Sequence, residues 1–525
     1  MNYTTPHIFK TSYFLFSGLF IVLFSCSDFK KNESHQSVAD ADIAKGKVLA
    51  ATYCQSCHLL PDPSLLDSKS WETGVLPAMG PRFGIFDYGV NHYPSSRNDL
   101  NVDRNYYPSK PVISFQDWQN IIDYYTSLSP DSLSGQQRKS PVSVGTQLFK
   151  LETPQFRTAL PTTCFVGIDS LASPRQVIIS DMTTKNIFRF NSQLQILDSF
   201  SNVSPVINME IHSKDIIACN IGVMNPNNGK YGSIQRILLN EDGEMKLDTS
   251  MRFRGLERPV QITSADFNGD GKTDYLVCEF GNLAGALSWM ENIGNNKYER
   301  HVLRALPGAI KAYIRDVNKD GLPDIWVLFS QGEEGIFLFT NKGNGKFDQE
   351  EVLQFPSIYG SSYFELADFN NDGFPDIVYT CGDNADYSAV LKPYHGVYIF
   401  LNNGSNHFTQ RYFFPIHGCY KAIARDFDED GDLDIATISF FADYARHPEE
   451  SFIYLENKGN FDFQPYSLLG TNSGRWLTMD AGDIDGDGKI DLVLGNFSIA
   501  PSSIKSASSW KNGPPFIVLK NIMKK

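Results

Sequence analysis

One nonapeptide recurs five times in the second half of this 525-residue chain: DFNGDGKTD from Asp266, DVNKDGLPD from Asp316, DFNNDGFPD from Asp368, DFDEDGDLD from Asp426 and DIDGDGKID from Asp483. Successive copies lie 50, 52, 58 and 57 residues apart, so the chain is built from an internal repeat. Each copy runs into alternating apolar residues: DYLVCEF, DIWVLFS, DIVYTCG, DIATISF and DLVLGNF. A second apolar segment and a turn come next (LSWMENIGNNKY, IFLFTNKGNGKF, VYIFLNNGSNHF, FIYLENKGNFDF), and a stretch such as RHVL or EEVL ends the unit. A period of two marks β-strands. Four short strands in roughly 50 residues make one blade of a β-propeller. Two units without the nonapeptide precede these, at 164–200 and 206–247, which brings the expected number of blades to seven. The last repeat ends at PFIVLKNIMKK, one strand short, while QLFKLE (147–152) is a strand with no unit of its own. The expectation is that this strand completes the last blade. Pairing of first and last strands would close the ring and remove its sheet edges.

The nonapeptide has a specific chemistry. Oxygen side chains at positions 1, 3, 5 and 9 and the carbonyl of position 7 converge on one hard cation, and Gly at position 6 makes the sharp turn, as in the first part of an EF-hand loop. The expected Ca²⁺ ligands are Asp266, Asn268, Asp270, Lys272 and Asp274 in the first loop, and Asp316, Asn318, Asp320, Leu322 and Asp324 in the second. They are Asp368, Asn370, Asp372, Phe374 and Asp376 in the third, Asp426, Asp428, Asp430, Asp432 and Asp434 in the fourth, and Asp483, Asp485, Asp487, Lys489 and Asp491 in the fifth. Strands on the flanks exclude a helical EF-hand. The whole pattern, from residue 258 onward, resembles the FG-GAP/VCBS repeat family, whose blades carry Ca²⁺ in the loop between their first two strands. The net charge of −14 argues against a nucleic-acid partner. The loops hold 17 Asp at positions 1, 3, 5 and 9, and five Ca²⁺ would bring −14 to −4, so the acidity is mostly a property of the loops.

Ahead of the repeats stands YCQSCHLLPDP, with Cys54, Cys57 and His58 in the spacing to which c-type haem is covalently attached. Residues leading into it can form a helix containing Gly46, and ISFQDWQNIIDYYTSLSP reads as a second helix with Ser114 and Asp117 as its capping pair. Two helices bracketing the motif resemble a class I c-type cytochrome. That resemblance implies one covalent haem with His58 as an axial ligand. The sixth ligand would be Met79 in the Pro/Gly-rich loop LPAMGPRFG, or else His92. A His/Met pair favours electron transfer.

The chain therefore reads as multidomain, with a small all-α domain followed by an all-β propeller. Residues 1–26 read as a lipoprotein signal whose LFSC resembles a lipobox with Cys26 as the lipidated residue, and 27–37 as a tether. Residues 38–130 form the cytochrome domain, 131–145 a Ser/Pro/Gln-rich linker and 146–525 the propeller. Cys164, Cys219, Cys278, Cys381 and Cys419 remain, at no metal-like spacing. The assembly is similar to exported bacterial proteins that join a c-type cytochrome to an FG-GAP/VCBS propeller. It implies a protein lipid-anchored to a bacterial envelope membrane, facing periplasm or cell surface. The expected function is single-electron transfer, with a calcium-stabilised propeller docking a redox partner or a surface glycan. Two alternatives stand beside it: a haem-coupled dehydrogenase with its substrate site in the propeller, and a calcium-dependent surface adhesion protein. His212, Arg254, His301, His395, His417 and His447 are the polar candidates for a substrate site; no P-loop, nucleophile elbow or dinucleotide fingerprint is present.

Overall fold

A computed structural model describes residues 30–240, 244–385, 388–500 and 508–523; Cys26 and the rest of the expected signal segment lie outside them. The N-terminal domain is organised by two 14-residue helices, Asp40–Tyr53 and Phe115–Leu128. Ser114 caps the second: its Oγ accepts the Asp117 N–H at 3.0 Å and donates to Asp117 Oδ2 at 2.8 Å. The helices cross at Gly46, where a Cβ would lie 1.8 Å from the Asn120 carbonyl oxygen. Ile43, Ala50, Trp71, Trp118, Ile121 and Tyr125 form the core of this domain. Between the long helices, 71–83 is one continuous helical passage, a π turn, an α turn and a 3₁₀ turn. The loop expected at Met79 is thus helical, because Pro77 falls in the first turn of the α segment, where its missing N–H has no partner to lose.

Seven antiparallel sheets follow, at 163–201, 206–256, 259–304, 309–354, 361–415, 419–467 and 476–521, here blades 1 to 7. Blade 7 has three strands of its own and takes its fourth from Phe149–Glu152, which pairs antiparallel with Phe516–Asn521 in the register Phe149↔Asn521 to Glu152↔Val518. The second strands of blades 3 to 7 are buried along their whole length rather than on alternate residues as expected. Each blade packs on a neighbour at both faces, so neither side of its central strands meets water.

Side chains latch several inner strands to the next. Gln261 of blade 3 accepts the Ala312 N–H at 2.6 Å and donates to the Ala312 carbonyl at 3.0 Å. Glu365 accepts the Ala424 N–H at 2.8 Å and Asp480 that of Ile168 at 2.9 Å. These polar side chains satisfy backbone groups at the inner strand edges that would otherwise be unpaired.

Two segments expected to be loose are folded. In the tether, Asn32 donates its N–H to the Ser127 carbonyl at 2.9 Å and its Nδ2 to that of Ser129 at 3.1 Å, capping the open end of the second helix. In the linker, Gln136 Nε2 donates to the His395 carbonyl at 2.8 Å, and Arg138 Nε to that of Pro415 at 2.9 Å. Arg138 also pairs with Glu450, whose side chain is 0% exposed. Ser143–Val144 then adds a fifth, parallel strand to blade 6. Composition marked both stretches as irregular, but their polar side chains serve buried backbone groups.

The N-terminal domain rests on one end of the ring. Tyr394 Oη donates to the Leu65 carbonyl at 3.1 Å, Asn228 Nδ2 to Asp99 Oδ2 at 2.8 Å, and Ile358 and Val390 pack against the domain's core. These residues lie after the second or fourth strand of a blade, whereas the nonapeptides join first to second strands. In an antiparallel blade those connections point to opposite ends. The five acidic loops therefore occupy the face away from the N-terminal domain.

Candidate functional site

All five nonapeptides adopt one conformation. Position 1 accepts the N–H of position 6 on Oδ2: Gly271 to Asp266 at 2.8 Å, Gly321 to Asp316 at 2.9 Å, Gly373 to Asp368 at 2.8 Å, Gly431 to Asp426 at 3.0 Å and Gly488 to Asp483 at 2.9 Å. Those glycines have φ between 80° and 98°, a region that side chains disfavour. The carboxylate of position 5 accepts the N–H of position 7, for instance Leu322 to Asp320 at 2.8 Å and Phe374 to Asp372 at 2.9 Å. Position 9 opens the second strand and is buried in every loop. Its Oδ2 accepts the N–H of position 2, from Phe267 at 3.2 Å to Val317 and Phe369 at 2.9 Å.

The other oxygen of position 9 meets a repeating residue that lies outside the nonapeptide. Asn292, Asn341, Asn402, Asn457 and Asn521 lie at or near the ends of the third strands, and their N–H groups donate to Asp274, Asp324, Asp376, Asp434 and Asp491 at 2.7 to 2.8 Å. Two of these side chains also cross between blades: Asn341 Nδ2 donates to the Phe267 carbonyl at 2.9 Å and Asn521 Nδ2 to that of Phe427 at 2.7 Å. The signal was present as the Asn of ENIG, TNKG, LNNG, ENKG and KNIM.

The oxygen-rich loops suit a hard cation, to different degrees. In the fourth, carboxylate oxygens of Asp426, Asp428 and Asp434 lie within 4.8 Å of one another, and Asp428 Oδ1 is buried with no hydrogen-bond partner. Burial, followed for Asp428 by its neighbour Asp430, pushes Asp428 up to about 6 and Asp434 up to about 7. In the fifth, Asp483, Asp485 and Asp491 are equally close, but three of its carboxylates already meet cations: Asp483 meets Arg175, Asp485 meets Lys520 and Asp487 meets Lys489. Lys272 similarly holds Asp270 at 2.6 Å in the first loop.

The CxxCH motif forms the turn that ends the first helix. The Cys54 N–H closes that helix onto Ala50 O at 2.9 Å, and the Cys57 N–H returns to Cys54 O at 3.3 Å. Cys54 is half-buried, its thiol pushed up to about 12 by burial and then by Cys57, while Cys57 is exposed. His58 Nδ1 lies 2.9 Å from the Leu59 carbonyl, to which it donates, leaving the Nε2 lone pair free. Met79 packs against the same core as Cys54 and Phe83. His92 is exposed and bonded through Nδ1 to Asp87 at 2.7 Å. Two thiols, a free imidazole nitrogen and a thioether in the same domain are the donor types that covalent haem takes. The open hollow at Cys57 and His58, bordered by Glu333 and Gln354 of blade 4 and lined by neither Cys54 nor Met79, holds about 220 Å³. That is below the ~300 Å³ of ordinary small-molecule pockets.

Of the polar substrate-site candidates, His212, Arg254 and His301 are scattered over blades 2 and 3. His395, His417 and His447 gather beneath the linker, where the Glu450 carboxylate accepts the His417 N–H at 3.2 Å and meets Arg138. His395 and His417 are 1% and 7% exposed, and burial keeps both neutral, His417 lowered to about 4. The remaining cysteines are all free, with Cys164, Cys219, Cys278, Cys381 and Cys419 buried as small apolar groups.

Comparison with known proteins agrees with this architecture. The model of the FG-GAP-like repeat matches residues 266–327 and 316–379. Integrin alpha-3 of Cricetulus griseus is 25% identical over 182 residues, 31% of this chain and 17% of that protein. The T-cell immunomodulatory protein homolog of Plasmodium falciparum (isolate 3D7) is 24% identical over 300 residues, 51% of this chain and 40% of its own length. Cartilage acidic protein 1 of Xenopus tropicalis is 31% identical over 202 residues, 35% of this chain and 29% of that protein. This chain thus spans less than half the length of each. It carries FG-GAP-like repeats folded as a seven-bladed β-propeller.

Proposed function

We propose that this protein is a docking protein of the bacterial envelope, exported, anchored through a lipid on Cys26, and holding a partner protein or a surface glycan on a calcium-loaded propeller. The observation that carries the reading is the segregation of the two ends of the ring. The N-terminal domain and the linker occupy one end, and the five acidic loops are left at the other. Similarity to integrin alpha-3 supports an adhesive role for such a propeller. Calcium in this reading is structural: each ion ties the start of a second strand to the loop before it and holds the free face in one shape. Binding of the purified chain to a glycan array and to envelope preparations, with calcium and after EDTA, tests this. Retention that requires calcium is expected, and binding indifferent to calcium, or absent in both states, rejects the reading.

A second activity is favoured by the CxxCH turn. Cys54 and Cys57 would bear a covalent haem, and His58 and Met79 would hold its iron. When bound, haem supplies a one-electron couple. The chain's own contribution is to hold His58 in the tautomer that leaves Nε2 free and to keep Met79 against a dry core. Visible spectra of protein matured with the c-type attachment machinery test it: a haem band that survives denaturation is expected in wild type, and its retention in Cys54→Ala/Cys57→Ala would refute covalent attachment.

A further inference from the structure

The axis of the propeller holds a group of charges that neither the calcium loops nor the haem motif uses. Lys311, on the inner strand of blade 4, feels the charges of Lys421 in blade 6, Glu365 in blade 5 and Asp480 in blade 7. Side chains from four blades can face one another only across the channel. The two ammonium groups share one aromatic surface: Lys421 Nζ lies 4.7 Å from the centre of the Tyr363 ring, and Lys311 Nζ lies 5.6 Å from the same centre and 4.5 Å from that of Tyr313.

What the lysines lack is an acid in direct contact. Glu365 is committed to Arg425 at 2.8 Å and to the Ala424 N–H, and Asp480 to the Ile168 N–H. Among the described residues no carboxylate comes within 4.0 Å of either ammonium. Two like charges over one ring, with Glu365 and Asp480 felt by both but in contact with neither, repel at low dielectric. Burial first and Lys421 second lower Lys311 to about 8, and burial lowers Lys421 as well, in both cases against the pull of Glu365 and Asp480. A third donor is present: Tyr313 Oη and Tyr363 Oη are 2.7 Å apart, so one hydroxyl donates to the other and one O–H is left over. Both lysines keep part of their surface open to the channel.

We propose that the channel binds a small oxyanion, of the sulfate, phosphate or carboxylate class, between Lys311 and Lys421 with a tyrosine hydroxyl as third donor. The site goes beyond the docking and haem readings and depends on neither. An anion there would remove the repulsion between the lysines and join blades 4 and 6 across the axis.

Thermal melts of the calcium-loaded full chain in low sodium sulfate, against sodium chloride at equal ionic strength, test it. Sulfate is the probe because phosphate would compete for calcium. A sulfate-specific rise in melting temperature is expected in wild type and in Lys346→Met, an exposed control at the acidic face. It should be lost in Lys311→Met and in Lys421→Met, each weakening sulfate by about tenfold or more. No rise in wild type, or an equal rise in all four proteins, would mean bulk exclusion of sulfate and overturn the site. Should either variant fail to fold, acetylation of wild-type Lys311 and Lys421 followed by mass spectrometry decides instead. Protection by sulfate supports the site; unchanged labelling overturns it.

Discussion

Replacing Arg138 by Ala isolates what the linker does. Arg138 is the counter-ion of Glu450, a carboxylate with no exposed side-chain surface, and its Nε donates to the Pro415 carbonyl at 2.9 Å. Breaking a buried pair by removing one partner costs about 3–5 kcal/mol, and the lost bond to Pro415 about 1 kcal/mol more. Protonation of Glu450 limits the sum. Burial already holds this carboxyl above its ordinary 4.5 with Arg138 beside it, and without the guanidinium it rises further. A carboxyl whose folded pKa exceeds its unfolded one gains a proton on folding. The deficit of the variant therefore grows as pH rises above 4.5 toward the raised value, and shrinks in acid. Urea unfolding should find Arg138→Ala less stable by about 3 kcal/mol at pH 8 and by roughly half of that at pH 5. Arg138→Ala/Glu450→Gln, which removes the orphaned charge but keeps an acceptor for the His417 N–H, should recover about 2 kcal/mol. Equal stability of wild type and Arg138→Ala, or no recovery in the double variant, would refute the linker as a strap.

Two further outcomes follow from the same geometry. Chelation by EDTA should lower the melting temperature of the propeller by about ten degrees or more, since each site saturated a hundredfold over its dissociation constant contributes about 2.7 kcal/mol; a calorimetric melt unchanged by EDTA would contradict calcium as a tie. Gly46→Ala should destabilise the N-terminal domain by about 1–3 kcal/mol, because the new Cβ would lie 1.8 Å from a backbone oxygen. Scanning calorimetry should show its transition moving while that of the propeller stays, and an unmoved transition would mean that the helices do not cross there.

The repeats were legible because cation geometry dictates spacing: five oxygens around one ion force the same residue types to the same positions in every copy. Ring closure by 147–152 was legible for a related reason, since one unit lacked a strand and one strand lacked a unit. The repeating Asn went unnoticed because its distance from the nonapeptide varies from 17 to 30 residues with the length of the intervening loop. Asn32, Gln136 and Arg138 sit in stretches whose composition marks irregular structure, and composition carries no information about which backbone groups a side chain will reach. The channel was the least visible. Lys311, Tyr363, Lys421 and Asp480 stand on four different inner strands and become neighbours only once the ring has closed.

Closure itself has a kinetic consequence. Phe149 and Asn521 pair across 372 positions, whereas every other strand pairing of the seven blades, the short parallel addition at Ser143–Val144 apart, lies within one blade of about 50 residues. Entropy grows only with the logarithm of loop length, so this pairing costs about 2 kcal/mol more than closing a single blade. Its thermodynamic burden is slight, yet it has no nucleus near it in sequence. Assembly should run blade by blade and finish at this seam, leaving Phe516–Asn521 an open edge until the strand beside the N-terminal domain arrives. For that interval the chain is most exposed to pairing with the wrong molecule.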